Sequence, residues 1–185
     1  MKSPILWGVI ALVVIIGAYM GSVYNGLVKS NEGVDAEWAQ VESQYQRRFD
    51  LVPNLVASVQ GIMKQEQTVF TALADARTKY SGAITPDSKA AAASDFEGAF
   101  GRLLAVMENY PQLRSVETVQ SLMAELAGTE NRISVERMRY NEMVRDYNVS
   151  VKTFPRSMLA GMFGFSVRTM FEASVGAENA PQVNL

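Results

Sequence analysis

The sequence contains neither cysteine nor histidine among its 185 residues. It therefore lacks the imidazole general base, the thiol nucleophile and the nitrogen and sulfur ligands of zinc sites. Glycine-rich phosphate-binding loops, the G-x-S-x-G motif and the EF-hand loop are also missing. Carboxylates alone can act as acid and base. Here, however, the acidic residues fall on the faces of predicted helices, and nothing in the sequence indicates that two of them meet in one cleft. The sequence predicts a protein that is not an enzyme and that binds no cofactor or metal.

Charge is absent from residues 4–24, which read PILWGVIALVVIIGAYMGSVY. At about 1.5 Å per residue, about 20 helical residues span a hydrocarbon core of about 30 Å. A cleaved signal peptide has a shorter apolar run, of about 7–15 residues, and a small-residue cleavage site. Without cysteine, lipid attachment through an N-terminal thiol is excluded. We therefore predict a retained transmembrane anchor over residues 1–25.

The few charges near this run indicate its orientation. Lys2 and the amino terminus precede the run and only Lys29 follows closely, which favours a cytoplasmic N-terminus and a C-terminal domain outside the cytoplasm. Residues 1–30 hold two of the 17 bases and none of the 19 acids, so the remaining 155 residues carry 15 bases and 19 acids. An acidic domain is a poor partner for nucleic acid. The bilayer contact is therefore expected through the apolar run.

Apolar residues recur at alternating spacings of three and four from Val34 to Leu73. This periodicity predicts one long amphipathic helix with a coiled-coil-like stripe, over about residues 26–80. Pro53 lies inside it, and a proline removes one backbone donor and clashes with the preceding turn. Because the register continues through Pro53, we predict that the helix bends there without ending, with Asp50 and Asn54 beside the freed backbone groups.

Two further helices are predicted, over about residues 86–109 and 115–153, with Pro111 and Pro155 at their ends. No segment has the alternation of a strand. The predicted fold is all-α: an N-terminal transmembrane helix followed by an antiparallel bundle of long helices, three long plus a shorter C-terminal one. The bundle is assigned to residues 26–175 and a polar tail to residues 176–185.

Arg48 interrupts the apolar stripe and allows three interpretations. Its stem could pack while the guanidinium reaches water. It could form a desolvated ion pair, or a clamp between subunits, with an acid such as Glu130. It could also bind an anion.

Aromatic residues near the C-terminus form the second notable pattern. Tyr140 and Tyr147 are each followed by asparagine, and core packing with a hydrogen bond from each hydroxyl is expected. The segment that contains Phe163 and Phe165 is rich in methionine and phenylalanine. It could form a short helix that closes the bundle, a subunit contact, or an interfacial helix that dips into lipid.

Four blocks resemble the signature blocks of the LemA family: VDAEWAQVESQYQRRFDLVPNLVASVQG (34–61), AVMENYPQL (105–113), AELAGTENRISVERMRYNEMVRDYN (124–148) and FPRSMLAGMFGF (154–165). The resemblance implies a single-pass protein of the bacterial cytoplasmic (inner) membrane with a helical-bundle domain and a role in membrane organisation. It also implies a set of structural polar residues, namely Arg47, Arg48, Asp50, Pro53, Asn54, Glu66, Glu130, Asn131 and Arg137. Phe49 and Gln65 depart from the family's pattern.

Helix lengths suggest what the domain does. A second helix of about 24 residues, or about 36 Å, covers only half of a first helix of about 55 residues. The stripe from Val34 to Val52 and the third helix beyond Tyr140 would then lack partners within the chain. We therefore expect a homo-oligomer, with Arg48, Glu66, Glu130 and Arg137 setting its register.

The predicted function is a non-enzymatic membrane protein that self-assembles and organises or shapes the bacterial membrane. The alternative is a membrane-tethered sensor or adaptor that binds an unidentified protein partner and acts as a monomer or dimer. The lipid bilayer is a partner in both interpretations.

Overall fold

The computed structural model describes residues 4–171, and the regular structure within that range is helical. Its helices are α1 (Pro4–Gln60), α2 (Gln67–Gly82), α3 (Pro86–Met107), α4 (Glu117–Lys152) and α5 (Arg156–Met162), with a short 3-10 helix at Pro111–Ser115. The predicted all-α fold is confirmed. The predicted tail at residues 176–185 lies outside the described residues.

Helix α1 runs from Pro4 through Pro53 to Gln60 without ending. The ring of Pro53 is exposed, while Val52 and Leu55 beside it are buried. The prediction that the helix continues past this proline is therefore confirmed. The Asp50 carboxylate accepts a hydrogen bond from the Gln46 amide at 3.0 Å.

The predicted extension of this helix to about residue 80 is wrong. The chain turns over residues 61–66, where the Ile62 and Met63 amides both donate to the Val59 carbonyl. A separate helix, α2, then begins at Gln67. Val59 and Met63 are both fully buried. Because the turn contains the apolar residues Ile62 and Met63, the apolar pattern of the sequence continues through it and its period does not reveal the break.

The helices form two compact units. The described residues of the first unit are 4–39 and 138–170. There Trp38 of α1 packs against Tyr140 of α4, with ring centroids 5.4 Å apart. Gly33 faces Met143, and a Cβ at Gly33 would lie 3.4 Å from the Met143 sulfur. After α5, Gly164 adopts a φ of 79°, which glycine tolerates without steric cost, and the chain continues to Phe171 without regular secondary structure.

The second unit comprises residues 40–137 and Phe171 within the described range. An aromatic cluster forms its core where α1, α2 and α3 meet. The Phe49 ring lies 4.5 Å from the rings of both Tyr80 and Phe96. Helix α3 begins after Thr85, whose hydroxyl accepts a hydrogen bond from the Ser88 amide at 3.2 Å. Such caps stabilise the first turn of a helix.

The expectation that two apolar stripes lack partners within the chain is also wrong. In the first unit Val34 and Trp38 of α1 are buried, as are Tyr140, Val144, Tyr147 and Val151 of α4. In the second unit the stripe residues Val41, Tyr45, Arg48 and Val52 are buried too. A single helix of about 55 residues with one shorter neighbour would have left these stripes exposed. Instead, the chain turns after Gln60, and α2 and α3 pack on α1 in the second unit. In the first unit, α4 and the segment after α5 cover α1.

Candidate functional site

Arg48 is the most deeply buried charged residue in the described part of the chain, with 4% of its surface exposed. Its guanidinium forms an ion pair with Glu130 of α4 and lies 4.9 Å from the centroid of the Phe100 ring. A buried cation is costly without such partners, and an aromatic face provides additional electrostatic attraction. Of the three interpretations of Arg48, the structure supports the ion pair, and it places the pair within one chain.

Glu97 forms a second polar centre in the same unit, between α1 and α4. Its Oε1 accepts a hydrogen bond from the Tyr45 hydroxyl at 2.7 Å and another from Arg137 at 3.4 Å. Burial, reinforced by the negative charge of Glu97, raises the pKa of Tyr45 far above its usual range. The phenol therefore stays protonated and acts as a hydrogen-bond donor at neutral pH.

Two open clefts lie between α3 and α4 in this unit. The larger has a volume of about 520 Å³ and is lined mainly by apolar residues: Leu104, Met107, Leu113, Val119 and Met123, together with Glu108 and Gln120. The smaller, of about 330 Å³, shares Leu104 and Met123 with it and is also lined by Arg48, Glu97 and Glu130. The Nε atom of Arg48 is buried and has no hydrogen-bond partner among the described residues. An apolar cleft therefore adjoins a cleft that is lined by charged side chains.

The other predicted polar residues are distributed differently. Arg47, Asp50, Pro53, Asn54 and Asn131 are exposed. Glu66 lies at the start of α2 and accepts a hydrogen bond from the Tyr110 hydroxyl at 3.1 Å, which raises the pKa of Tyr110. The structure thus brings together Arg48 with Glu130, and Arg137 with Glu97, while Glu66 joins a separate contact.

In the first unit, Tyr140 and Tyr147 attach the segment after α5 to α4. Their hydroxyls donate to the carbonyls of Thr169 and Ser166, at 3.1 and 2.9 Å. Asn148 adds two hydrogen bonds, because its amide nitrogen donates to the Arg168 carbonyl and its oxygen accepts from the Arg168 amide, both at 2.8 Å. The expected packing and hydroxyl bonds of the two tyrosines are confirmed.

Phe163 and Phe165 pack against α1 in the same unit. Their ring centroids lie 5.1 and 6.0 Å from that of Tyr24, in edge-on geometry. Tyr24 lies near the C-terminal end of the charge-free run, which continues to Val28. These contacts place the residues that follow α5 beside the end of that run.

Sequence reasoning missed Tyr45, Glu97 and the ion pair between Arg168 and Asp35. Glu97 lies on α3 between the buried residues Phe96 and Phe100. Nothing in the sequence pattern around it indicates a partner on α1 or α4. The repeated Tyr-Asn pairs, by contrast, could have indicated that Asn148 forms hydrogen bonds next to Tyr147.

The described chain is thus a helical protein with one helix, α1, long and apolar enough to cross a membrane. The side chains of its apolar window are not buried by the rest of the protein. Within residues 4–171, no group of three or more acidic side chains is arranged to hold a metal ion.

The chain belongs to the LemA family, whose model matches residues 37–185. It is 30% identical to magnetosome protein MamQ 2 of Paramagnetospirillum magneticum over 175 residues, covering 80% of this chain and 64% of the relative. It is 28% identical to magnetosome protein MamQ of Magnetospirillum gryphiswaldense over 168 residues, covering 77% and 62%. The chain therefore spans less than two thirds of the length of these relatives.

Proposed function

We propose that this protein is a non-enzymatic, single-pass membrane protein whose helical domain acts as a tethered binding module. The observation that supports the anchor most directly is the apolar surface of α1. Ten large apolar side chains are exposed between residues 5 and 16: Ile5, Leu6, Trp7, Val9, Ile10, Leu12, Val13, Val14, Ile15 and Ile16. A hydrocarbon core is the environment in which such a surface is stable.

Binding, as opposed to catalysis, is supported by the clefts of the second unit. The larger cleft is apolar and is lined by two methionines, whose flexible side chains adapt to the surface of a partner. Arg48, Glu97 and Glu130 line the adjoining cleft and offer charged groups to the polar part of a ligand. With both apolar stripes buried inside one chain, a monomer or dimer suffices for a stable fold.

Self-assembly and membrane organisation form the second candidate function. The names of the relatives as magnetosome proteins favour the membrane role and leave self-assembly open. Met138 and Val149 on α4 also leave apolar surface exposed in the first unit, available to a second copy. The buried stripes, however, no longer provide an argument for oligomerisation.

The anchor is tested by washing membranes that contain the full-length chain with alkaline carbonate. We expect the chain to remain in the membrane pellet. Replacing Val13 and Ile16 by Asp should release it, because each charge near the helix centre costs about 2.5–3.5 kcal/mol.

Ile84→Asp is the matched control, since Ile84 is exposed in a loop of the second unit. This variant should stay in the pellet. Release of the unaltered chain by carbonate would refute the anchor.

A further inference from the structure

Helix α5 has two different faces, although it has only seven residues. Ala160 is fully buried against the protein. Met158 and Met162, four residues apart and therefore on the same face, are 68% and 70% exposed. Phe154, just before the helix, is 73% exposed. A water-soluble surface seldom presents three large apolar side chains so close together, and such a patch indicates a binding surface.

The position of α5 along α1 indicates what this patch contacts. Tyr24 lies five residues before Lys29, near the end of the charge-free run, and it packs on Phe163 and Phe165, which follow α5. Val23 and Leu27 of α1 are buried at the same level. If the run spans the bilayer, Tyr24 lies at the depth of the lipid headgroups, where aromatic side chains are typically found. The exposed face of α5 is then at the membrane surface.

Charge along this part of the chain is compatible with lipid. Residues 147–171 contain Lys152, Arg156 and Arg168 and no acidic residue. Lys152 and Arg156 flank α5 and are exposed, whereas Arg168 is paired with Asp35. Basic side chains beside an apolar face are the composition of helices that lie in the interface of anionic membranes.

We propose that α5 lies in the interface of the bilayer that α1 crosses, with Phe154, Met158 and Met162 inserted among the lipids. This proposal rests on the proposed transmembrane anchor. A second copy of the chain fits this surface less well. A stable interface buries about 800 Å² per partner, and three side chains provide much less area than that. The domain then has two membrane contacts, one across the bilayer and one along its surface.

The natural absence of cysteine makes the test direct, since one introduced thiol is the only site for a spin label. The full-length chain carrying Met158→Cys or Met162→Cys is labelled and reconstituted in phosphatidylcholine vesicles with phosphatidylglycerol as the minority lipid. Collisions of the label with oxygen, which concentrates in lipid, are compared with collisions with a water-soluble nickel chelate. We expect the oxygen-to-nickel ratio at both positions to be several-fold above that of a water-exposed site.

Met138→Cys is the matched control. Met138 is also a methionine of the first unit and is 63% exposed, but it lies beside Tyr140, which packs on Trp38. Trp38 follows Tyr24 by fourteen helical residues, or about 21 Å along α1. The label at position 138 should therefore collide mainly with the nickel chelate. Val14→Cys, in the middle of the apolar run, reports on the anchor itself and should collide mainly with oxygen.

The outcomes separate the two proposals. If Val14 reports lipid while Met158 and Met162 resemble Met138, the interfacial position of α5 is refuted and the anchor stands. Labels at Met158 and Met162 that neither reagent reaches would show that protein covers them, which also refutes the interfacial position. A nickel-accessible Val14 would refute the anchor as well.

Discussion

At the scale of single residues, the ion pair of Arg48 and Glu130 is the most informative contact in the domain. Arg48 is almost completely buried, whereas the Glu130 side chain is 51% exposed. The two residues therefore depend on the pair to different degrees: Arg48 needs Glu130 more than Glu130 needs Arg48. Removing Glu130 leaves a buried charge without compensation, while Glu130 alone would be hydrated.

We predict that Glu130→Gln lowers the free energy of unfolding by about 1–3 kcal/mol, because a buried charged group loses its partner. Denaturant titration of the full-length chain in detergent, followed by the circular dichroism of the helices, measures the loss. Asp95→Asn is the control, since Asp95 pairs with Lys79 and both side chains are more than half exposed. It should cost less than about 1 kcal/mol. Equal losses in the two variants would show that burial of Arg48 does not determine the energy of its pair.

Arg48 also shows how far the sequence could predict a site. A charge at an apolar position of the stripe indicates burial, and the family resemblance placed both Arg48 and Glu130 among the structural residues. Tyr45 and Glu97 could not be paired in this way. Their contact joins residues 52 positions apart, and only the packing of α1 on α3 brings them together.

At the scale of elements, the segment after α5 is attached by side-chain bonds to its backbone. Asn148 makes both bonds to Arg168, and Tyr140 and Tyr147 each add one. The segment has no regular secondary structure, so these side chains satisfy backbone groups that would otherwise need water.

We predict that Asn148→Ala makes the Arg168 amide exchange its hydrogen about tenfold faster, since losing a net hydrogen bond of about 1.4 kcal/mol changes an opening equilibrium by that factor. Hydrogen–deuterium exchange with mass spectrometry of residues 163–171 measures the effect. Asn131→Ala, at an exposed position of the same helix, should leave this segment unchanged. Unchanged protection in Asn148→Ala would mean that the tyrosines alone attach the segment.

The positions of the helix ends show where the apolar periodicity of the sequence predicts structure and where it does not. The ends of α3 and α4 were predicted to within a few residues because Pro111 and Pro155 mark them. The turn after Gln60 contains no proline, and its glycine, Gly61, has no left-handed conformation. Because Val59 and Met63 remain buried across this turn, the break had no signal in the apolar pattern.

At the scale of the whole molecule, the number of copies distinguishes the two candidate functions. Val41 and Val144, which the apolar stripes suggest as contact points between copies, are fully buried within the chain. A cysteine at either position cannot reach a neighbouring molecule. Met138 and Val149 are exposed and are the informative positions.

We predict that the full-length chain extracted in mild detergent is a monomer or a dimer, because its apolar stripes are already covered. Light scattering that corrects for bound detergent gives the mass. The double variant Met138→Cys, Val149→Cys, which carries two thiols per chain, should give at most a dimer on oxidation in native membranes. A large, discrete particle with ladders of crosslinked species would contradict the adaptor and favour the self-assembling protein.

The uninterrupted course of α1 has a mechanical consequence for a chain anchored in this way. Within the first unit, no loop separates Leu6 in the apolar run from Trp38 in the folded part. An apolar run that is longer than the local hydrocarbon thickness tilts to match it. A continuous, hydrogen-bonded helix passes such a tilt along its length, so thinning of the bilayer would incline Trp38 and its partner Tyr140 together with the anchor.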